Sequence, residues 1–181
     1  LCPIAHNPYT MHNQNSSYSA TVQQTASTTT SEQAHQRKQG LVDKHIELKF
    51  FMPNQVCRYR VDSFSNKEPE TLNWIDESPP GSVLYDIGAN IGLYSVYHAL
   101  SKNANVYAFE PSFLNLALLA KNLTLNHVSD KVKVIVNPLT ASNMFAQFNL
   151  SSLVEGGALS AFGVDYGQDG RDLDKKLTYQ T

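Results

Sequence analysis

Residues 82–136 predict a doubly wound α/β fold built on parallel strands, and three observations carry that prediction. Short apolar-rich runs at 83–87, 106–109 and 132–136 read as interior strands rather than as half-exposed, strictly alternating ones. The stretches between them have helical spacing. A glycine turn (Gly88, Gly92) follows the first strand, and an acid, Glu110, ends the second strand 22 residues after Gly88. A turn at one strand tip and a carboxylate at the next tip is the layout of a nucleotide-type site in such folds.

The elements follow in order. Residues 1–40 are expected to be a disordered polar tail. From 7 to 40 they are mainly Ser, Thr, Gln, Asn and His, a composition that buries too little surface to offset its ordering entropy. Residues 41–80 are expected to hold a hairpin and a short helix. Ile46, Leu48 and Phe50 alternate with Glu47 and Lys49 as in a half-buried strand, Pro53-Asn54 marks a turn, and 55–61 reads as the partner strand. Pro69 sits at a helix N1 position and opens a helix over 69–77 with Leu72 and Ile75 inward.

Residues 81–181 then form the nucleotide-type unit. After the 83–87 strand and its turn, Leu93, Val96, Tyr97 and Leu100 stand at i, i+3, i+4 and i+7 of an amphipathic helix. Pro111-Ser112 starts a longer helix with Phe113, Leu116, Ala117, Ala120 and Leu123 on its inner face, and Asn126-His127 ends it. Right-handed crossovers place the three strands side by side in the order 3-2-1. A further strand is expected at 146–150, and the glycines beyond it (Gly156, Gly157, Gly163, Gly167, Gly170) read as loop.

The turn discriminates among ligands. A dinucleotide fingerprint needs glycine at three positions, which here are Gly88, Asn90 and Leu93, and no P-loop Gly-Lys-Ser/Thr follows. Asp86 at the first strand tip would repel a diphosphate but suits an ammonium group. S-adenosylmethionine (SAM) has a ribose diol, a sulfonium and a zwitterionic amino acid, and no phosphate. Asp86 can face its cationic half, the turn amides at the helix start can take its carboxylate, and Glu110 can accept both ribose hydroxyls. The candidate cofactor-binding residues are therefore Asp86, Gly88, Ala89, Asn90, Gly92 and Glu110. The alternative is a strand-turn-helix whose acids only cap and solvate.

Asp86-Ile-Gly-Ala-Asn-Ile-Gly92, Tyr107-Ala-Phe-Glu-Pro111, and Asn115 with Leu118-Leu-Ala-Lys-Asn-Leu-Thr-Leu-Asn126 resemble the FkbM-type SAM-dependent methyltransferases. The stretch Glu68-Pro-Glu-Thr-Leu-Asn-Trp-Ile-Asp76 and Pro80-Gly81 are similar too, so the resemblance covers roughly 50–181. It implies a Rossmann-like class I methyltransferase fold, a seven-stranded sheet whose fourth strand pairs beside the first and carries an Asp motif near the donor methyl. No such strand is recognisable in the sequence. The chain is therefore expected to be a fragment cut after the third core strand, inactive alone, with its first strand an exposed apolar edge. The resemblance also implies O-methylation of a sugar or small-metabolite hydroxyl. A non-catalytic SAM-binding or scaffolding domain is the second hypothesis, and an NAD-linked oxidoreductase is disfavoured by the glycine pattern.

No catalytic base is assigned: His98 and His127 read as structural or solvated. Tyr85 and Tyr94 read as core, and Trp74 as packing over the turn. Glu68 and Glu70 could reach the methionine end of SAM. The adenine edge is expected at Asn137-Pro138-Leu139, where an amide replaces the usual acid. No metal is expected, since His6, His12 and His35 are irregularly spaced. A net charge of −2 gives no reason to expect nucleic acid as a partner, and no run of 18 apolar residues points to a membrane. Cys2 and Cys57 allow at most one bridge, and Cys2 falls in the polar tail, so a reducing, cytoplasmic setting is expected. Asn122-Leu-Thr and Asn149-Leu-Ser read as chance matches to the glycosylation pattern.

Overall fold

The computed structural model describes residues 46–181 and the backbone of residues 18–20. Strand β1 (Tyr18–Ala20) lies antiparallel to β2 (Leu48–Phe50), with Tyr18 opposite Phe50. This short pairing falls inside the stretch expected to be disordered; the rest of 1–40 lies outside the described residues.

The predicted hairpin partner is a helix instead. Residues 55–61 lie in α1 (Gln55–Asp62), capped by Asn54, whose side chain accepts from the Cys57 N–H. Cys57 and Val61, one helical turn apart, are its buried residues. A single turn, α2 (Phe64–Lys67), leads into α3 (Pro69–Glu77), whose buried residues are Leu72 and Ile75, as the spacing predicts. Trp74 is exposed on α3 rather than packed over the turn.

The three core strands, β3 (Leu84–Ile87), β4 (Val106–Phe109) and β5 (Val132–Ile135), are parallel and lie in the order β3-β4-β5, with Leu84, Val106 and Val132 in register. Helix α4 (Leu93–Ser101) follows β3 and packs against all three strands, burying Val96 and Ala99 with Leu84, Val106 and Ala108. The other sheet face carries Tyr85 stacked on Tyr107 at 5.2 Å, with Ile87 63% exposed. Among the described residues this face is uncovered and β3 is an edge strand.

Helix α5 (Phe113–Leu125) turns a different face inward from the one its aliphatic spacing suggests. Asn115, Leu118, Leu119, Asn122 and Leu123 are buried, while Phe113 and Ala117 are exposed. The reason is polar. Asn122 accepts from Phe51 N–H (2.9 Å) and donates to the Ile91 carbonyl (2.8 Å). Asn126, just past the helix, takes the N–H and the carbonyl of Lys49. These amides serve the edge of β2 that β1 does not pair, so the asparagine stripe must face in.

The glycine-rich tail also differs from the loop expected of it. β6 (Gln147–Leu150) falls where the strand was predicted, but β7 (Ala161–Phe162) and β8 (Leu177–Gln180) flank it in an antiparallel sheet ordered β7-β6-β8. Tyr179 fastens this sheet to the site: its hydroxyl donates to the Pro111 carbonyl, and its ring meets Phe113 and Phe148. Phe113 thus has an aromatic partner outside the core. Cys57 is a free, buried thiol. No helix among the described residues is long and apolar enough to cross a membrane.

Candidate functional site

The β3 tip, its turn and the β4 tip come together as the spacing predicts. Gly88 (φ +79°), Asn90 (φ +52°) and Gly92 (φ +87°) all lie in the left-handed region, which lets the chain reverse within five residues. At Gly92 an added Cβ would lie 2.4 Å from Leu119 Cδ1, so this glycine lets α4 approach α5. At Gly88 it would meet nothing within 4 Å, because Gly88 faces open space.

Two cavities meet at this turn. The larger, about 330 Å³, is lined by Asp86, Gly88, Ala89 and Asn90 together with Arg60, Phe64, Lys67, Glu68, Thr71 and Tyr94. The smaller, about 200 Å³, is lined by Gly88, Asn90, Glu110 and Pro111 on one side and by Phe148 and 157–160 on the other. Gly88 and Asn90 belong to both. Five of the six predicted site residues therefore face a cavity, and Gly92 faces neither.

The two acids differ in environment. Asp86 accepts from the Ser95 hydroxyl. Burial raises its carboxyl above the ordinary range, opposed by the Ser95 bonds and the nearby His98. Glu110 is 5% exposed. It accepts Asn90 N–H at 2.7 Å on one oxygen, and Ser112 N–H at 2.8 Å with Asn115 Nδ2 at 3.5 Å on the other. Burial raises this acid too, opposed first by the Ser112 and Asn90 N–H groups. A carboxylate offers about four lone-pair positions. Three are taken, so Glu110 has room for one further donor where two ribose hydroxyls were expected.

A second expectation also changes. The turn amides are consumed internally: Gly88 and Ala89 donate to the Phe109 carbonyl, Asn90 to Glu110, Ile91 to Asn90 Oδ1, and Gly92 to the Ala89 carbonyl. None of these five is left to receive a ligand carboxylate, so that expectation narrows to the first N–H groups of α4, where Leu93 and Tyr94 line the larger cavity.

The segment 155–157 is a wall that sequence reasoning missed. Its three carbonyls are all held: Glu155 by Asn54 and Cys57, Gly156 by Arg60 Nε, and Gly157 by Asn90 (2.7 Å) and Asn115 (3.1 Å). The Gly156 N–H returns to Asn115 Oδ1. The Asn54 cap and the Gly156-Gly157 pair were visible in the sequence, but nothing local joins positions about 100 apart. Burial pushes the Cys57 thiol up to about 11, which keeps it protonated under this segment. The tip at 137–139 lines neither cavity, and Pro111, Phe148 and Leu159 stand at the Glu110 side instead. Tyr94 lines the larger cavity and donates to Glu68 at 3.0 Å, while Tyr85 lies on the open sheet face. Glu70 lines neither cavity. His98 is buried on the Ser82 carbonyl, and His127 is exposed. Among the described residues no histidine lines either cavity.

No protein-family model matches the chain. A stretch of 57 residues is 37% identical to 31-O-demethyl-FK506 methyltransferase FkbM of Streptomyces tacrolimicus, covering 31% of this chain and 22% of that protein. The match thus spans about a fifth of the relative's length, and the FkbM resemblance read from the motifs is found again in it. Among solved structures, a SAM-dependent methyltransferase of Geobacter sulfurreducens in complex with S-adenosyl-L-homocysteine is 16% identical, with a TM-score of 0.35 over 46% of this chain and 36% of that one. TYW2 of Pyrococcus horikoshii in complex with MeSAdo is 22% identical, with a TM-score of 0.36 over 54% and 34%. Likeness at this level carries no weight beside the chain's own residues.

Proposed function

We propose that this chain supplies the donor-binding part of a SAM-dependent methyltransferase acting on the hydroxyl of a sugar or small metabolite. One observation carries the reading: two cavities meet at Gly88 and Asn90, with Asp86 beside the turn in the larger, where Glu68 also lies, and Glu110 in the smaller. A ligand with a cationic amino-acid end and a ribose matches that polarity, whereas a dinucleotide would set its diphosphate against Asp86. The open space over Gly88 fits a ligand passing from one cavity to the other.

When bound, SAM would supply an electrophilic methyl and leave as a neutral thioether, and the acceptor hydroxyl's proton would pass to solvent water. The chain's residues orient rather than activate. Asp86 holds the ammonium group. Glu110 takes one ribose hydroxyl while keeping Asn90 and Ser112 in place, and the wall at 157–160 limits water on that side.

Calorimetry on the full chain tests the reading. SAM and S-adenosylhomocysteine should bind and NAD should not; NAD binding without either would sink it. A non-catalytic SAM-binding or scaffolding role is the second reading: Glu110 is bonded to the turn and to the α5 start as a scaffold would need, and among the described residues no histidine lines either cavity. Methyl transfer to a panel of hydroxyl compounds separates the two, since a scaffold would bind SAM and release no S-adenosylhomocysteine.

A further inference from the structure

We propose that Arg60 and Lys67 bind the carboxylate of the cofactor's amino-acid end and so select a donor carrying an α-amino acid. The inference rests on the SAM reading of this site and names residues outside the turn. An amino-acid zwitterion needs an anion for its ammonium and a cation or free N–H groups for its carboxylate. From Gly88 to Gly92 the turn cannot meet the second need, because all five N–H groups have protein acceptors, which leaves the first N–H groups of α4 at Leu93 and Tyr94 and the cations that share their cavity.

The same cavity provides the alternative. Its lining holds two acids, Asp86 and Glu68, and two cations, Arg60 and Lys67. Glu68 is ion-paired with Lys67 at 3.6 Å and bonded by the Tyr94 hydroxyl, whereas Asp86 is held by Ser95 and has no ion pair among the described residues, so Asp86 is the acid for the ammonium. Arg60 donates Nε to the Gly156 carbonyl. That bond orients its guanidinium, and among the described residues its terminal nitrogens have no protein partner. A guanidinium so placed suits a carboxylate, which it can bind through two parallel N–H bonds. Lys67 sits on α2, half exposed, as a second positive charge at the rim. Arg60 thus bridges the two halves of the site, holding the wall at Gly156 while facing the larger cavity.

The test compares S-adenosylhomocysteine with 5′-methylthioadenosine, which shares the nucleoside and thioether but lacks the amino acid. Calorimetry on the full chain should show the former binding at least about tenfold tighter. Arg60→Gln should weaken S-adenosylhomocysteine by about tenfold or more, as expected for one charge-assisted bond, and leave methylthioadenosine within about twofold. Lys67→Gln, which touches no wall residue, should shift the same ligand in the same direction by a smaller factor. Arg60→Lys should recover part of the loss. Equal weakening of both ligands by Arg60→Gln would make Arg60 a wall clamp only and overturn the inference, as would unchanged S-adenosylhomocysteine binding in both variants. Wild-type protein that binds neither ligand would overturn the SAM reading itself, and the inference with it.

Discussion

Glu110 bonds the backbone of the turn through Asn90 and that of the α5 start through Ser112, so its carboxylate is part of the scaffold as well as of the site. Glu110→Gln turns one acceptor oxygen into an NH₂ facing a backbone N–H. One orphaned donor costs about 1–3 kcal/mol, or a melting-point loss of roughly 2–12 °C at this chain length. SAM affinity should also fall at least about tenfold; a destabilised variant with unchanged affinity would leave Glu110 a purely structural role. The acids also set a pH dependence. Asp86 and Glu110 have folded pKa values raised by burial above their unfolded ones. The folded state then holds more protons than the unfolded, so stability falls as pH rises from about 4 through the raised folded values. Denaturation of the unliganded chain followed across that window should show this slope, and Asp86→Asn should flatten it. A slope of opposite sign would mean that both acids are better satisfied in the fold than their burial implies.

At the scale of elements, α5 acts as a polar spine. Asn115 holds the wall, Asn122 joins β2 to the turn, and Asn126 takes the other end of β2. Asn122 is fully buried, and its loss would strand both Phe51 N–H and the Ile91 carbonyl. Asn122→Ala should therefore cost about 3 kcal/mol, at roughly 1–3 for each orphaned group, measurable by urea denaturation. A loss under about 1 kcal/mol would mean that water replaces the amide. Gly92→Ala should be comparably harmful for a different reason: its left-handed φ costs about 1–2 kcal/mol in any L-residue, and the new methyl runs into Leu119. Neither variant touches the cavities directly, so protein that still folds should keep most of its SAM affinity.

For the molecule as a whole, the decisive feature is that β3 pairs on one side only among the described residues. Leu84 and Gly88 donate toward β4, and parallel pairing leaves the alternate residues Tyr85 and Ile87 facing the edge. Their side chains are also the exposed ones, 62% and 63%. Amide exchange in the 181-residue chain should be fast at Tyr85 and Ile87 and slow in central β4. Equal protection in both strands would show that a further strand, from this chain or another copy, pairs on that edge.

The sequence alone determined the core elements and the two acids. The 69–77 helix, the three strands between 83 and 136 and the helix after the turn are legible because each segment's apolar period records which face it buries. Asp86 and Glu110 follow from those strands, since a parallel βαβ unit places both tips at one edge. What the tertiary structure decided is where polar groups find partners. Residues 55–61 alternate well enough for a strand, yet the Asn54 cap and the i, i+4 pair Cys57 and Val61 prevail once Glu155 and Gly156 lie against that face. The α5 face turns its asparagines inward with Leu118, Leu119 and Leu123 and leaves Phe113, Ala117 and Ala120 outside, because the backbone at the free edge of β2 must be satisfied. The occupied turn amides, the wall at 155–157 and the cations of the larger cavity share that origin. Hydrogen bonds between residues about 20 to 100 positions apart leave no periodic trace in a sequence, and only the folded chain brings their partners within reach.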